Sequence, residues 1–185
     1  MITKLEVVDG SDILWSLSGI QAQALNFYQT EKPAVDIISY VNDNQCVPMM
    51  AINFGRWLWD EDLAFDPARF KNPQLKITHN KALGGSSPDA ATLDVVADLF
   101  DEKRANPVGW LMAKEYNTYS LVSSAVQKIE LPTDYLMRMM MIQSLAAGKE
   151  PNSQFNKIKL SENNGKKIPI EDTISDLIKY IADEF

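Results

Sequence analysis

Four carboxylates crowd the stretch "WDEDLAFD": Asp60, Glu61, Asp62 and Asp66. Paired acids of this kind can hydrolyse a glycosidic bond, or ligate calcium through oxygen. Neighbouring acids on a strand point to opposite faces, however, and the glycine-centred spacing of an EF-hand loop is absent. The reading for this cluster is a solvated loop, with loop calcium as the alternative. His79 is the only histidine, and nothing like G-x-S-x-G accompanies it, so it reads as a structural or surface side chain. Cys46 sits between "NDNQ" and Val47-Pro48, with no basic or histidine neighbour in sequence to hold a thiolate, and reads as structural. "LGGSSPD", Leu83 to Asp89, offers two glycines and two serines to a phosphate, but lacks the GK[ST] ending and helix start of a P-loop. A surface loop is expected there. The residues therefore assign no catalytic group, no cofactor and no metal, and the chain is read as a non-enzyme.

The apolar clusters carry more information. Strand alternation in "FGRWLWDED" would place Trp57 and Trp59 on one face. Such a pair can bury in a core, anchor a subunit contact or stack sugar rings, and core burial is the first expectation. "DYLMRMMMIQSL", Asp134 to Leu145, places four methionines in five positions. As a strand it puts Tyr135, Met137, Met139, Met141 and Leu145 on one face, with Gln143 their only polar neighbour. As a helix it would be apolar almost all round. Propensity favours the helix, while Pro132 and the alternating segments nearby favour a strand. We read it as a strand filling an irregular core, with an adaptable partner-binding surface as the alternative. A thioether metal site would recruit Cys or His, and neither is close in sequence.

The elements that must position these residues read as mostly β. Turn signals recur at short intervals: Asp9-Gly10, Pro33, Asn42-Asp43-Asn44, Pro67, Pro73, Gly84-Gly85, Pro107, Pro132, Pro151 and Asn163-Asn164-Gly165. Short runs rich in Ile, Val, Leu, Tyr and Trp lie between them, the rhythm of a sandwich or barrel. Strands are predicted over "ITKLEVV", "DILWSLS", "AVDIISYV", "PMMAINF", "LKITHN" and "NKIKLS", and further ones over "TLDVVADLF" and "PVGWLMAKEYNTYSLVSSAVQKIELP". "TLDVVADLF" also fits a short helix. One helix closes the chain over 173–185, where Ile174, Leu177, Ile178, Ile181 and Phe185 form an apolar stripe. Asp172 is its expected cap, with Glu171 and Asp176 favouring its positive end.

Composition bounds the function classes. The chain has 185 residues, 45% apolar and 23% charged, which is ordinary for a globular protein. Its net charge of −7 and scattered cations, of which "EKR" at 102–104 is the tightest mid-chain group, argue against direct nucleic-acid binding. With Cys46 its only cysteine, the chain can close no internal disulfide. It shows no signal-peptide pattern and no apolar run long enough to span a bilayer, and reads as a soluble protein made in a cytoplasm.

Three stretches together resemble a family. They are "VVDGSDILWSLSGIQAQALNFY", "INFGRWLWDEDLAFDPARFKNPQLKITHN" and "KIELPTDYLMRMMMIQSLAAGKEPNSQFNKIKLSENNGKKIPI". In strand rhythm and corner residues they resemble the jelly-roll major capsid (coat) proteins of tailless, icosahedral, internal-membrane-containing bacteriophages. The resemblance implies an all-β jelly-roll sandwich of about eight strands in a single domain over 1–185, with "DYLMRMMMIQSL" an inner strand. It implies a virion structural protein made in the host cytoplasm, whose partners are copies of itself in trimers and a shell, other virion proteins and an internal membrane. Double jelly-roll coats are longer, so the chain could also be the first barrel of a larger protein. Trp57, Trp59 and Phe185 are the candidate assembly or binding surface. A receptor- or carbohydrate-binding β-sandwich is the alternative.

Overall fold

The computed structural model describes residues 2–32, 47, 49–80, 92–101, 105–122, 125–144, 146 and 148–184. Their regular structure is mostly β: five strands in two antiparallel sheets, with two α-helices. Contacts cluster into two compact units, 1–125 and 126–185.

The first unit is built on strand β1 (Ile2–Asp9), flanked by β2 (Asp12–Ser18) and β3 (Pro73–His79) in the order β2-β1-β3. Asp9 faces Asp12 across a two-residue turn, whose first residue, Gly10, takes the φ of 60° that such a turn asks of glycine. Alternation sends Leu5 and Val7 into the core, while Lys4 and Glu6 form an ion pair of 2.8 Å on the other face. A bulge then interrupts the pairing: Val7 faces Trp15 and Val8 faces Ile13. The extra residue, Leu14, lets two consecutive side chains, Leu14 and Trp15, both bury. At the far end, the Asp9 carboxylate accepts from the amides of Asn72 (2.7 Å) and Lys71 (3.2 Å), tying the end of β1 to the start of β3.

Helix α1 (Gly19–Thr30) follows β2 directly, in a stretch whose resemblance implied only strands. A capping box starts it: the Gln21 amide donates to Ser18 Oγ (3.3 Å), and the Ser18 amide donates to Gln21 Oε1 (2.8 Å). Glu31 stops it in the left-handed region, its amide donating to the Phe27 carbonyl at 2.7 Å. Gly19, Ala22 and Leu25 form the buried face, packed on β1 and β2. The buried cluster of Leu5, Val7, Leu14, Trp15, Leu17, Ala22 and Leu25 is walled by Phe54, Phe65, Phe70 and Trp110. Those rings stack or meet edge to face, with centroids 4.8 Å apart for Phe54–Phe65, 5.0 Å for Phe65–Phe70 and 5.3 Å for Phe70–Trp110. Each such pair adds about 0.5–1.5 kcal/mol beyond its buried area.

In the second unit, β4 (Lys157–Glu162) and β5 (Lys167–Thr173) form a hairpin. Asn163, Asn164 and Gly165 turn it with φ of 51°, 56° and 85°, a conformation that Asn and Gly adopt most readily. Glu171 binds Lys157 (2.6 Å) and Lys159 (3.4 Å) across the pair. Helix α2 (Ile174–Glu184) matches the predicted C-terminal helix. Its cap is Thr173, whose Oγ1 accepts from the Asp176 amide at 3.2 Å, rather than Asp172, which stays in β5 opposite Ile158. The hairpin ladder holds Asp172 until the helix has begun. Ile174 is buried, but Ile178 and Ile181 remain 41% and 38% exposed.

Several predicted strands are not strands. Residues 49–54 pack Met50, Ile52 and Phe54 on the core without joining a sheet. "TLDVVADLF" is neither strand nor helix, and 107–115 makes only isolated bridges, Gly109 to Leu63 and Lys114 to Ser16. The "DYLMRMMMIQSL" stretch, described over 134–144, has no regular structure and its apolar side chains are exposed, against the expected inner strand. Apolar alternation makes a strand only where another edge continues the ladder: 107–115 exchanges scattered hydrogen bonds with Ser16, Phe54, Asp62 and Ala64 without extending one, and the other segments join no sheet among the described residues. "AVDIISYV", Cys46, "LGGSSPD", "EKR" and Phe185 lie outside the described residues.

A Cβ at Gly19 would lie 2.5 Å from the Ile2 carbonyl oxygen, whereas one at Gly109 would meet nothing within 4 Å. Gly19→Ala is expected to destabilise the chain by about 1–3 kcal/mol through overpacking, read as a lower urea midpoint. Gly109→Ala should stay within about 0.5 kcal/mol of the parent.

Candidate functional site

The two tryptophans of the candidate surface sit on a corner built by one carboxylate. Gly55 is required where that corner closes: a Cβ there would lie 2.5 Å from the Leu63 carbonyl oxygen and 2.9 Å from Asp60 Cβ. Asp60, only 2% exposed, accepts hydrogen bonds from three parts of the loop. Its Oδ2 takes the Arg56 amide (2.9 Å) and Arg56 Nε (2.7 Å). Its Oδ1 takes Arg56 Nη2 (2.7 Å) and the amides of Asp62 (3.2 Å) and Leu63 (3.3 Å). The guanidinium beside it, helped by those amides, holds the Asp60 carboxyl well below the usual carboxylate range against the opposing pull of burial. The same carboxylates raise the Arg56 pKa, Asp60 first and Asp62 second.

The acidic cluster therefore divides by role. Asp60 is a buried organiser rather than a solvated loop acid. Asp62, its side chain 75% exposed, adds a second contact to Arg56 at 2.9 Å. Asp66 caps the short 3-10 turn Pro67–Arg69 through the Ala68 amide at 3.0 Å. Among the described residues no group of three or more His, Cys, Asp or Glu side chains could hold a metal ion. The Arg56–Asp60 spacing of four residues is the sequence signal for this clamp.

What the clamp presents is apolar. The Asp60 amide donates to the Trp57 carbonyl at 3.3 Å, and the turn so closed leaves Trp57, Leu58 and Trp59 exposed by 60%, 63% and 52%. Core burial, the first expectation for this pair, does not hold. Nor do the rings share a strand face, because no strand forms here. Arg56 lies over the Trp57 ring, 4.3 Å from its centroid, while Trp59 meets Phe100 edge-on at 5.5 Å. A groove of about 250 Å³ runs beside Trp57, between Gln29 and Thr30 at the end of α1 and Asn53 and Arg56. Asn53 joins its walls by donating to Asn26 Oδ1 and Gln29 Oε1, both at 3.1 Å.

His79 closes β3 opposite Ile2, exposed and away from this corner's ladder of hydrogen bonds. A second hollow, of about 370 Å³, opens near Lys4, Ser16, Lys114 and Glu115. Glu115 there accepts from Gln21 Nε2 and from Thr118 Oγ1, and these bonds lower its pKa. Of the described helices, none is long and apolar enough to cross a membrane. No family model, curated protein or solved structure matches the chain.

Because the folded Asp60 pKa is depressed, its contribution to stability is complete above the ordinary carboxylate value near 4 and is lost as pH falls through the lower folded value. Asp60→Asn is expected to lower the urea midpoint at pH 7 and to flatten, without abolishing, the fall in stability below about pH 4. Glu6, Glu115, Glu171 and Asp176, whose pKa values are also lowered, keep the remaining slope. Urea titrations at a series of pH values give both quantities.

Proposed function

We propose that the chain is a virion structural protein, a coat subunit that associates with copies of itself to build an icosahedral shell. The exposed corner Trp57-Leu58-Trp59, braced from beneath by the Arg56–Asp60 clamp, carries this reading. Large apolar side chains held rigidly in water are what a subunit surface offers to a neighbour, and aromatic anchors of this kind dominate interface energetics. In this reading the fold is a jelly-roll sandwich, and the partners are sister subunits in trimers and shell contacts, other virion proteins and an internal membrane. The net charge of −7 keeps free subunits soluble and leaves genome contact to other components. The protein acts in the virion after synthesis in the host cytoplasm, and the reading gives it no catalytic role.

The groove beside Trp57 favours a second reading, a carbohydrate- or receptor-binding module. One aromatic ring, two amide side chains and a guanidinium line that groove, the groups that stack on and hydrogen-bond to a sugar.

Light scattering with negative-stain imaging of the purified chain separates the two. Trimers or larger closed particles are expected, and a strict monomer at high concentration overturns the coat reading. Trp57→Ala with Trp59→Ala should weaken self-association by about 30-fold, the loss of a hot spot of about 2 kcal/mol. Glycan binding by a monomer, abolished by Trp57→Ala, would establish the second reading instead.

A further inference from the structure

The polar groups in the wall of the groove beside Trp57 can be followed one by one. Asn53 donates through Nδ2 to Asn26 Oδ1 and to Gln29 Oε1, each at 3.1 Å, which uses both hydrogens of that amide. The two amides are thereby fixed in orientation. Among the described residues Asn53 is left with an open acceptor, Oδ1, and Gln29 with an open donor, Nε2. Thr30 donates its hydroxyl hydrogen to the Asn26 carbonyl at 2.8 Å and lines the groove with an oxygen that can still accept. Arg56 engages Asp60 and Asp62 through Nε and Nη2 and keeps Nη1 open. Exposed Trp57 and Leu58 supply the apolar wall. A fixed acceptor and a fixed donor, one hydrogen bond apart and beside apolar surface, complement a secondary amide that bears a small alkyl group.

Charge and size narrow the ligand further. Gln29 and Thr30 are the last two residues of α1, so the groove lies at the negative end of the helix dipole. The guanidinium in its wall already faces two carboxylates, Asp60 at 2.7 Å and Asp62 at 2.9 Å. An acidic sugar would meet that pole and those acids with no unbalanced cation to receive it. A free amino sugar would bring an ammonium against the guanidinium. A plain hexose has hydroxyls for the polar groups but no alkyl group for the wall. At about 250 Å³ the groove is smaller than the roughly 300–1,000 Å³ of a drug-sized site, and has room for about one sugar unit. We infer that the groove is a subsite for one neutral 2-acetamido sugar. Its acetyl carbonyl accepts from Gln29 Nε2, its amide N–H donates to Asn53 Oδ1, and its methyl packs on Trp57 and Leu58.

This inference rests on the carbohydrate reading, and its test separates the two. The full chain is titrated, with NMR detection, against the methyl glycosides of N-acetylglucosamine, N-acetylgalactosamine, glucosamine, glucose and galacturonic acid, and against N-acetylalanine methylamide. At least one acetamido sugar is expected to bind about tenfold or more tighter than every other compound, because a site built for an amide rejects the analogue lacking it. In saturation-transfer spectra its acetyl methyl should be the most strongly saturated group. Gln29→Glu keeps the acceptor for Asn53 and removes the open donor, and should lower that affinity by about tenfold or more, with circular dichroism unchanged. Another sugar bound as tightly overturns the inference and leaves the carbohydrate reading standing. The peptide amide bound as tightly marks a peptide site and overturns it as well. A chain that binds no sugar overturns both. If Gln29→Glu misfolds, the ranking of compounds by the unaltered chain decides.

Discussion

Backbone amides must find carbonyls, and the described structure is ordered by where they do so. β1 is the strand of the first unit that is paired on both sides, with β2 and β3 each using one of its edges. The other described elements of that unit are arranged around it. The bulge at Val7 and Val8 turns Leu14 and Trp15 inward together, α1 caps off the end of β2, and the segment around Lys114 returns to β2 through Ser16, whose amide donates to the Ala113 carbonyl at 2.8 Å. Where no edge is offered, segments of equal apolarity remain irregular. The same rule that builds the sheet leaves "TLDVVADLF" and the methionine stretch outside it.

The Trp57–Trp59 corner solves a different problem, that of holding apolar side chains outward. Hydrophobic collapse would fold such a loop onto the core unless something stiffer opposes it. The Asp60 carboxylate supplies that opposition by anchoring backbone amides at both ends of the turn together with the guanidinium of Arg56. Arg56 in turn covers one face of Trp57, which fixes the ring while leaving its remaining surface in water. An ion pair of this type, with its carboxylate buried and its guanidinium about a third exposed, is weak evidence for stability on its own and better evidence for a specified shape.

Legibility in the sequence follows these physical lines. "ITKLEVV" and "DILWSLS" are readable because alternation, β-branched residues and an Asp-Gly turn agree with the tertiary pairing they meet. The final helix is readable because its apolar stripe and first-turn acid act locally. Helix α1 carried its own signal, the Ser18…Gln21 capping box, but a strand-rich context and the resemblance masked it. The Arg56…Asp60 spacing is likewise present in the sequence but does not identify the clamp by itself, because an acid among acids looks solvated until a guanidinium is found beside it. The methionines could not be placed from sequence at all. Apolarity states that a side chain seeks cover, not whether its own chain provides the cover.

Trp15 is fully buried and its indole nitrogen has no hydrogen-bond partner in the structure, whereas Trp57 and Trp59 stand in water on the corner. With Trp110, half-buried in the core wall, beside Trp15, the four tryptophans form a core population and a corner population within one unit. Trp15, in a dry apolar setting, emits toward the blue and is shielded from quenchers. The corner pair emits toward the red and is open to acrylamide. Emission colour alone separates events in the core from events at the surface, so the docking of a neighbour on Trp57 and Trp59 can be followed without any added dye and without confusion with unfolding.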